Sequence, residues 1–506
     1  MDTRNNARGF RLAWRDIRLG VAALAAAFAL SLSATDSLAQ DATTTPPAAP
    51  AAVVTDPAAT PLAAPAEAAP AEATVAAAAP AEEAAPEPTM DKGDTAWMLI
   101  ATAIVLMMSI PGLALFYGGL VRAKNMLSVL MQVSTCAIIG LICWALWGYS
   151  LAFTDGLPGL AQFVGGPSKF LLAGVTKDSM AATFSAGVVI PELVFVAFQA
   201  TFAAITAALV LGSVAERMKF SAVVVFSVLW PLLSYYPIAH MVWYFTDVSE
   251  TTGFLFGLGA LDFAGGTVVH INAGVAGLVG GILLGHRSGY KAEPWPPHSL
   301  TMTYIGAGLL WIGWFGFNAG SNLEANGGAG LAFINTMLAT AAAGFSWILT
   351  EWVTKGKPSM LGLASGIVAG LVAITPACGT IGPMGAIILG LVVSPICVIF
   401  CSVIKSALNY DDTLDVFGIH GVGGIVGALA TGILTAPLFG GTGAEDFSIA
   451  GQFTTQAIAV GVSFAWSAVA SFIVFMLLKV VGLRASKEAE QEGLDIIEHG
   501  ERAYHS

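Results

Sequence analysis

Eleven long apolar stretches, following one another from residue 95 to residue 482 with short polar breaks, constrain this 506-residue chain more than any other feature. They run over 95–121, 125–154, 188–214, 219–245, 263–285, 301–320, 327–353, 360–375, 381–407, 416–438 and 452–482. Stretches of this kind match a hydrocarbon core of about 30 Å, and in lipid only a helix or a closed barrel satisfies every backbone N–H and C=O. Composition agrees, with 56% apolar and 11% charged residues where a soluble domain carries about 25% charged. The expected fold is an all-α polytopic membrane protein with eleven transmembrane helices. A formal charge of -12 argues against a nucleic-acid partner, which would need a basic face. The five cysteines form no CxxC pair, so buried free thiols are expected rather than a disulfide framework or a zinc site.

Two segments precede the helical region. Residues 1–18 hold five Arg and no Lys, and lead into the apolar run Leu19 to Leu32 and then Ser37-Leu38-Ala39. A basic region, a short apolar core and small residues at the cleavage positions read as a signal peptide over 1–39. Residues 40–90 are nearly all Ala, Pro, Thr and Glu. They are expected to form a disordered periplasmic tail, because they cannot bury enough apolar surface to fold. The transmembrane domain is assigned to 91–483 and a cytoplasmic tail to 484–506.

Orientation follows from Lys and Arg. If the cleaved N-terminus lies outside, thirteen of them fall on the inner loops and tail, against Lys92, Lys169 and Lys177 outside. The positive-inside rule then gives N-out and C-in, in agreement with the leader.

The fifth and tenth stretches share a spacing. His270, Gly274 and Gly277 stand against His420, Gly424 and Gly427, with Asp262 and Asp415 ahead of the two helices. Phe116-Tyr117-Gly118-Gly119 in the first stretch likewise stands against Phe317-Asn318-Ala319-Gly320 in the sixth. An odd number of spans per repeat inverts the second copy, so spans 1–5 and 6–10 are expected to form an inverted repeat with a pathway along its pseudo-two-fold interface.

Ionisable groups inside a membrane are costly, which makes His270 and His420 candidates for a pore-lining pair. Counting from the helix starts leaves each about 7 to 10 Å from opposite faces. Contact between them therefore requires both helix heads to lie below the surface. Asp262, just before Phe263-Ala264-Gly265-Gly266, reads both as a helix cap and as electrostatic support for a nearby cation. Asp415 reads as a cap, and Asp411 and Asp412 as an inner loop face. Trp243, Phe198 and Phe317 are aromatics that either line a path or simply pack. His240 reads as structural, and His286 and His298 as loop residues. No GxSxG, HExxH or P-loop occurs, so no enzyme activity, no cofactor and no resident metal are expected.

The run Leu261-Asp262-Phe263-Ala264-Gly265-Gly266-Thr267-Val268-Val269-His270-Ile271-Asn272-Ala273-Gly274 resembles the signature of the ammonium transporter family, in its bacterial Amt branch. IPGLALFYGGLVRAKN, AERMKFSAV, SYYPIAHMVW, GWFGFNAGS, GKPSMLG, ITPACG, DVFGIHGVGGIVG and GLDIIEHGERAY extend that resemblance over 91–506. It implies an eleven-helix protomer in a homotrimer of the cell inner membrane, with one pore per protomer for ammonium or ammonia. Residue by residue, it implies an outer recruitment site at Trp243, Phe198 and Ser321, and a stacked phenyl gate at Phe198 and Phe317. It further implies twin pore histidines at His270 and His420, and a required aspartate at Asp262. The tail from Arg484 resembles the segment that meets a PII-type signal protein (GlnK). Two alternatives stand beside proton-coupled transport: an electroneutral ammonia gas channel, and an ammonium sensor signalling through the PII protein.

Overall fold

A computed structural model describes residues 88–246 and 251–504. The expected signal peptide, and the expected tail up to residue 87, lie outside the described residues. Thr89–Met90, the end of that tail, is an ordered strand, β1. It pairs in parallel with β3 (Val188–Pro191), on which β2 (Met180–Ala182) lies antiparallel.

Among the described residues, ten helices are long and apolar enough to cross a membrane. They are α1 (Lys92–Leu120), α2 (Ala123–Phe153), α3 (Glu192–Val214), α4 (Phe220–Trp243), α5 (Gly266–Leu284), α6 (Leu300–Gly320), α7 (Gly327–Lys355), α9 (Pro383–Leu408), α10 (Phe417–Leu434) and α11 (Ile449–Val481). The eighth expected span is a shorter apolar helix, α8 (Met360–Ile374). Its 15 residues rise about 22 Å, short of a 30 Å core. Polar side chains begin several of these helices: Asp91, Ser299, Asn326, Ser359 and Ser448 each accept a first-turn N–H of the helix that follows. These bonds satisfy donors that a helix leaves free. α3 and α5 are the most enclosed, with 78% of their most apolar window buried, while α9 and α11 are at 33%. The outer faces carry Ile312, Phe345 and Val403, as a lipid-facing surface requires.

Several helices contain a π-turn, including Gly266–Ile271 at the head of α5 and Phe417–Gly421 at the head of α10. Such turns widen the helix and redirect the side chains they carry. The two histidines singled out in the sequence both lie on them.

At the end of the bundle that carries the C-terminal segment, α12 (Lys487–Glu492) and α13 (Leu494–His499) are tied to the helix starts. Asp495 accepts from the N–H groups of Leu127 and Ser128 at 3.1 and 2.7 Å, and Glu498 from Phe220 N–H at 3.2 Å. Beside them Glu216 is 1% exposed and ion-paired to Arg122 and to Arg287, each at 2.9 Å, while Arg287 also pairs with Asp411 at 2.8 Å. Burial alone would push the Glu216 carboxyl up from its ordinary 4.5, but the charges of Arg287 and Arg122 outweigh it and hold the group lower. A carboxyl whose folded value is depressed stabilises the fold above the unfolded value and loses that contribution as pH falls through the lower folded one. Thermal stability in detergent is therefore expected to fall as pH is lowered from about 4.5. Arg287→Ala should cost about 3 kcal/mol at neutral pH, because two buried carboxylates each lose one of their charge partners and keep only Arg122 and Arg217. A melting temperature that is flat with pH and unmoved by Arg287→Ala overturns this reading.

Candidate functional site: a paired histidine core

The two π-turns bring the heads of α5 and α10 together at His270 and His420. Each histidine lies within five residues of its helix start, about 6 Å along the axis. Their Nδ1 atoms are nevertheless 3.3 Å apart, with ring centroids at 5.4 Å and planes at 24°. Straight helices starting at opposite surfaces would keep them apart. The contact exists because both helix heads lie in the interior. Small residues one turn on allow the approach: a Cβ on Gly274 would sit 2.2 Å from Gly421 N, and one on Gly424 would sit 3.1 Å from His270 Cβ. Each half thus supplies a histidine and, four residues later, the glycine that receives the other histidine's helix.

Asp262, 8% exposed, is a cap in full. One oxygen accepts from Gly265 and Gly266 N–H at 2.8 and 2.5 Å. The other accepts from Thr267 N–H at 2.8 Å, from Val268 N–H at 3.2 Å and from the Thr267 hydroxyl. A carboxylate so committed can act on a nearby cation only through its charge, not by direct contact. Its counterpart is Asp412, eight residues before His420 as Asp262 is before His270, and not Asp415. Asp412 accepts Phe417 N–H at 2.7 Å, the same five-residue reach as Asp262 to Thr267. Asp415 instead pairs with Lys405 at 2.5 Å. Asp411 and Asp412 are buried, not a loop face, because the first is ion-paired and the second caps α10. Burial pushes the Asp412 carboxyl up from its ordinary value, partly offset by Lys405.

Above the histidines, on the side of the β-strands, stands a column of aromatic rings. Phe317 stacks on Phe202 at 4.0 Å and 17°, and lies 6.1 Å from His270. The stacked phenyl pair is therefore Phe202 with Phe317, whereas the sequence reading paired Phe198 with Phe317. Phe198 lies one helical turn earlier on α3, tilted against Phe202 at 4.9 Å. It packs where a Cβ on Gly320 would lie, next to Ser321. The half-buried Trp243 meets Phe202 edge-on at 5.9 Å and donates its Nε1–H to the Asp262 carbonyl at 2.9 Å. Ser321, 9% exposed, donates to Phe317 O at 2.8 Å and keeps its oxygen lone pairs as acceptors. Trp314, not singled out beforehand, stacks on His270 at 5.4 Å and is held by Thr375 at 2.8 Å.

A narrow cavity runs beside these rings. Of its twelve lining residues, ten are apolar and the other two are His270 and His420. Away from the two imidazoles, such a lining offers water no hydrogen-bond partners. His240 makes contacts of 3.0 and 2.7 Å to the Ala152 and Ala161 carbonyls, as a structural residue does. Cys136, Cys143, Cys378 and Cys397 are buried free thiols, and Cys401 is half-buried.

The described residues thus form a polytopic membrane helix bundle with two buried histidines facing each other in its core. The chain belongs to the Ammonium Transporter Family, whose model matches residues 96–504. It is 46% identical over 421 residues to the ammonium transporter of Aquifex aeolicus (strain VF5), covering 82% of this chain and 94% of that protein. The fold is similar to Mep2 of Saccharomyces cerevisiae, with a TM-score of 0.70 and 33% identity over 79% of this chain and 88% of that one. It is also similar to a structure described as a sensor Amt protein, with a TM-score of 0.72 and 28% identity over 80% and 98%.

Proposed function

We propose that the chain recruits ammonium at Trp243, Phe198 and Ser321, strips its proton, and conducts ammonia through the dry cavity while His270 and His420 relay the proton. The observation that carries this reading is the 3.3 Å contact between the two imidazoles inside an otherwise apolar cavity. Dehydrating an ammonium ion costs several kcal/mol at least, up to about 20 in the idealised limit. A cation-π contact returns about 2 kcal/mol, enough to hold the ion at the mouth and too little to carry it through. Deprotonating an amine whose pKa lies two or three units above pH 7 costs roughly 3 to 4 kcal/mol, so the neutral species crosses more cheaply.

The tautomers suit a relay. Of two facing Nδ1 atoms one must donate and the other accept, so one ring turns an Nε2 lone pair away from the pair and the other an Nε2–H. Such a pair takes a proton at one end and gives one up at the other. Potassium has no proton to shed and is rejected by the dry segment.

The orientation N-out, C-in in a cell inner membrane, the homotrimer and the docking of a PII-type protein (GlnK) at the face carrying α12 and α13 belong to the same proposal. The inner-face excess of Lys and Arg supports the orientation and the tail motif supports the docking, while the homotrimer rests on the family resemblance alone. A sensor output is the second reading, favoured by the likeness to a sensor Amt protein. Uptake of labelled methylammonium separates the two, because a pure sensor leaves uptake by a deletion strain unchanged.

Current across supported membranes tests the relay. Wild type is expected to pass an ammonium-dependent current that excludes potassium. The double substitution His270→Ala with His420→Ala is expected to abolish charge-coupled, potassium-excluding transport, and unchanged selectivity in it sinks the relay.

A further inference from the structure

α11 lies outside both five-helix repeats, yet one of its side chains reaches the mouth of the site. Gln456 is 1% exposed. Its Oε1 accepts Leu261 N–H at 2.7 Å, and its Nε2 donates to Leu261 O at 2.7 Å and to Ala428 O on α10 at 3.0 Å. Leu261 offers one donor and one acceptor and Ala428 a second acceptor, so the amide has a single orientation that satisfies all three. Leu261 directly precedes Asp262, whose carboxylate heads α5 and whose carbonyl receives the Trp243 indole. Neither an aliphatic nor a carboxylate side chain can hold both the N–H and the C=O of one residue while also donating to a second helix.

We propose that Gln456 is a positioning residue for the recruitment site, setting the Trp243 indole through Leu261 and the Asp262 carbonyl. This inference rests on the proposed transport reading. Recruitment holds the substrate before the costly step, so loosening it weakens apparent affinity and leaves maximal flux alone. A side chain that merely stabilised the fold would instead lower the amount of active protein and leave half-saturation unchanged.

The test is current against ammonium concentration with the full chain in proteoliposomes. Gln456→Met, which keeps length and volume and loses every hydrogen bond, is expected to raise the half-saturating concentration roughly tenfold, with maximal current within about twofold of wild type. Gln456→Leu is expected to do the same and is read in its place if the methionine variant fails to assemble. Combined with Trp243→Leu, Gln456→Met should add no further shift, because both act through one indole. Wild-type current with unshifted half-saturation in the Gln456 variants overturns the inference alone, as does full additivity with Trp243→Leu. A wild-type protein without ammonium-dependent current overturns the transport reading and this inference with it.

Discussion

Gly274→Ala is expected to disable the protein, although it adds a single methyl group. The new Cβ would lie 2.2 and 2.3 Å from Gly421 N and Cα, and backbone cannot rotate away as a side chain can. Overpacking costs about 1 to 3 kcal/mol where side chains absorb it, and more where a helix must move. The helix that must move carries His420, so the imidazole contact opens. A displacement of about 1 Å at a reacting centre can cost roughly a hundredfold in rate. Transport should fall on that order, and thermal stability in detergent by about 3 kcal/mol or more. Gly424→Ala is the matched control: its Cβ would meet Gly266 O and the His270 and Ile271 side chains at 3.0 to 3.1 Å, a crowding that small shifts relieve. Equal behaviour of the two variants would contradict the close backbone crossing.

Asp262→Asn is expected to have the second large effect, by a different route. The amide keeps one acceptor oxygen but turns two N–H donors toward groups that already donate. At least two of the five bonds at Asp262 are then lost in a buried site. A lost cap costs about 0.5 to 2 kcal/mol, and each buried unsatisfied donor about 1 to 3. A stability loss of about 3 kcal/mol is expected, with uptake of labelled methylammonium nearly abolished, because the negative charge beneath Trp243 goes as well. Asp262→Asn with wild-type uptake and an unchanged melting temperature would show that neither the cap nor the charge is required.

The bundle was legible in the sequence because apolar run length is a direct physical requirement of the bilayer, and the expected stretches correspond to α1 through α11. The shortest of them, 360–375, is also the shortest of these eleven helices. The partnership of His270 with His420 was legible from the shared glycine spacing. Their contact was not, because the π-turns and interior helix heads that permit it depend on the surrounding packing. The Asp pair was misread by proximity: Asp415 is nearer to α10, yet the eight-residue interval shared by Asp262 and Asp412 was present in the sequence. Phe202 was overlooked although it stands one turn after Phe198 on the same helix face, a spacing that places both rings over one path. Trp314 carried no signal beyond its type, since most aromatics in membrane helices only pack. The hold of Gln456 on Leu261 joins residues 195 positions apart, and no local pattern announces it.

The meeting of two helix heads beside the histidines also has an electrostatic consequence. An α-helix behaves as if about half a positive charge sat at its N-terminus, so α5 and α10 together aim nearly one positive charge at the middle of the bundle. Asp262 and Asp412, each bonded to N–H groups of one of these heads, set a negative charge against it. Two like-signed helix ends can therefore converge inside the bundle because each brings its own counter-charge, and removing either carboxylate would leave one end uncompensated beside the other.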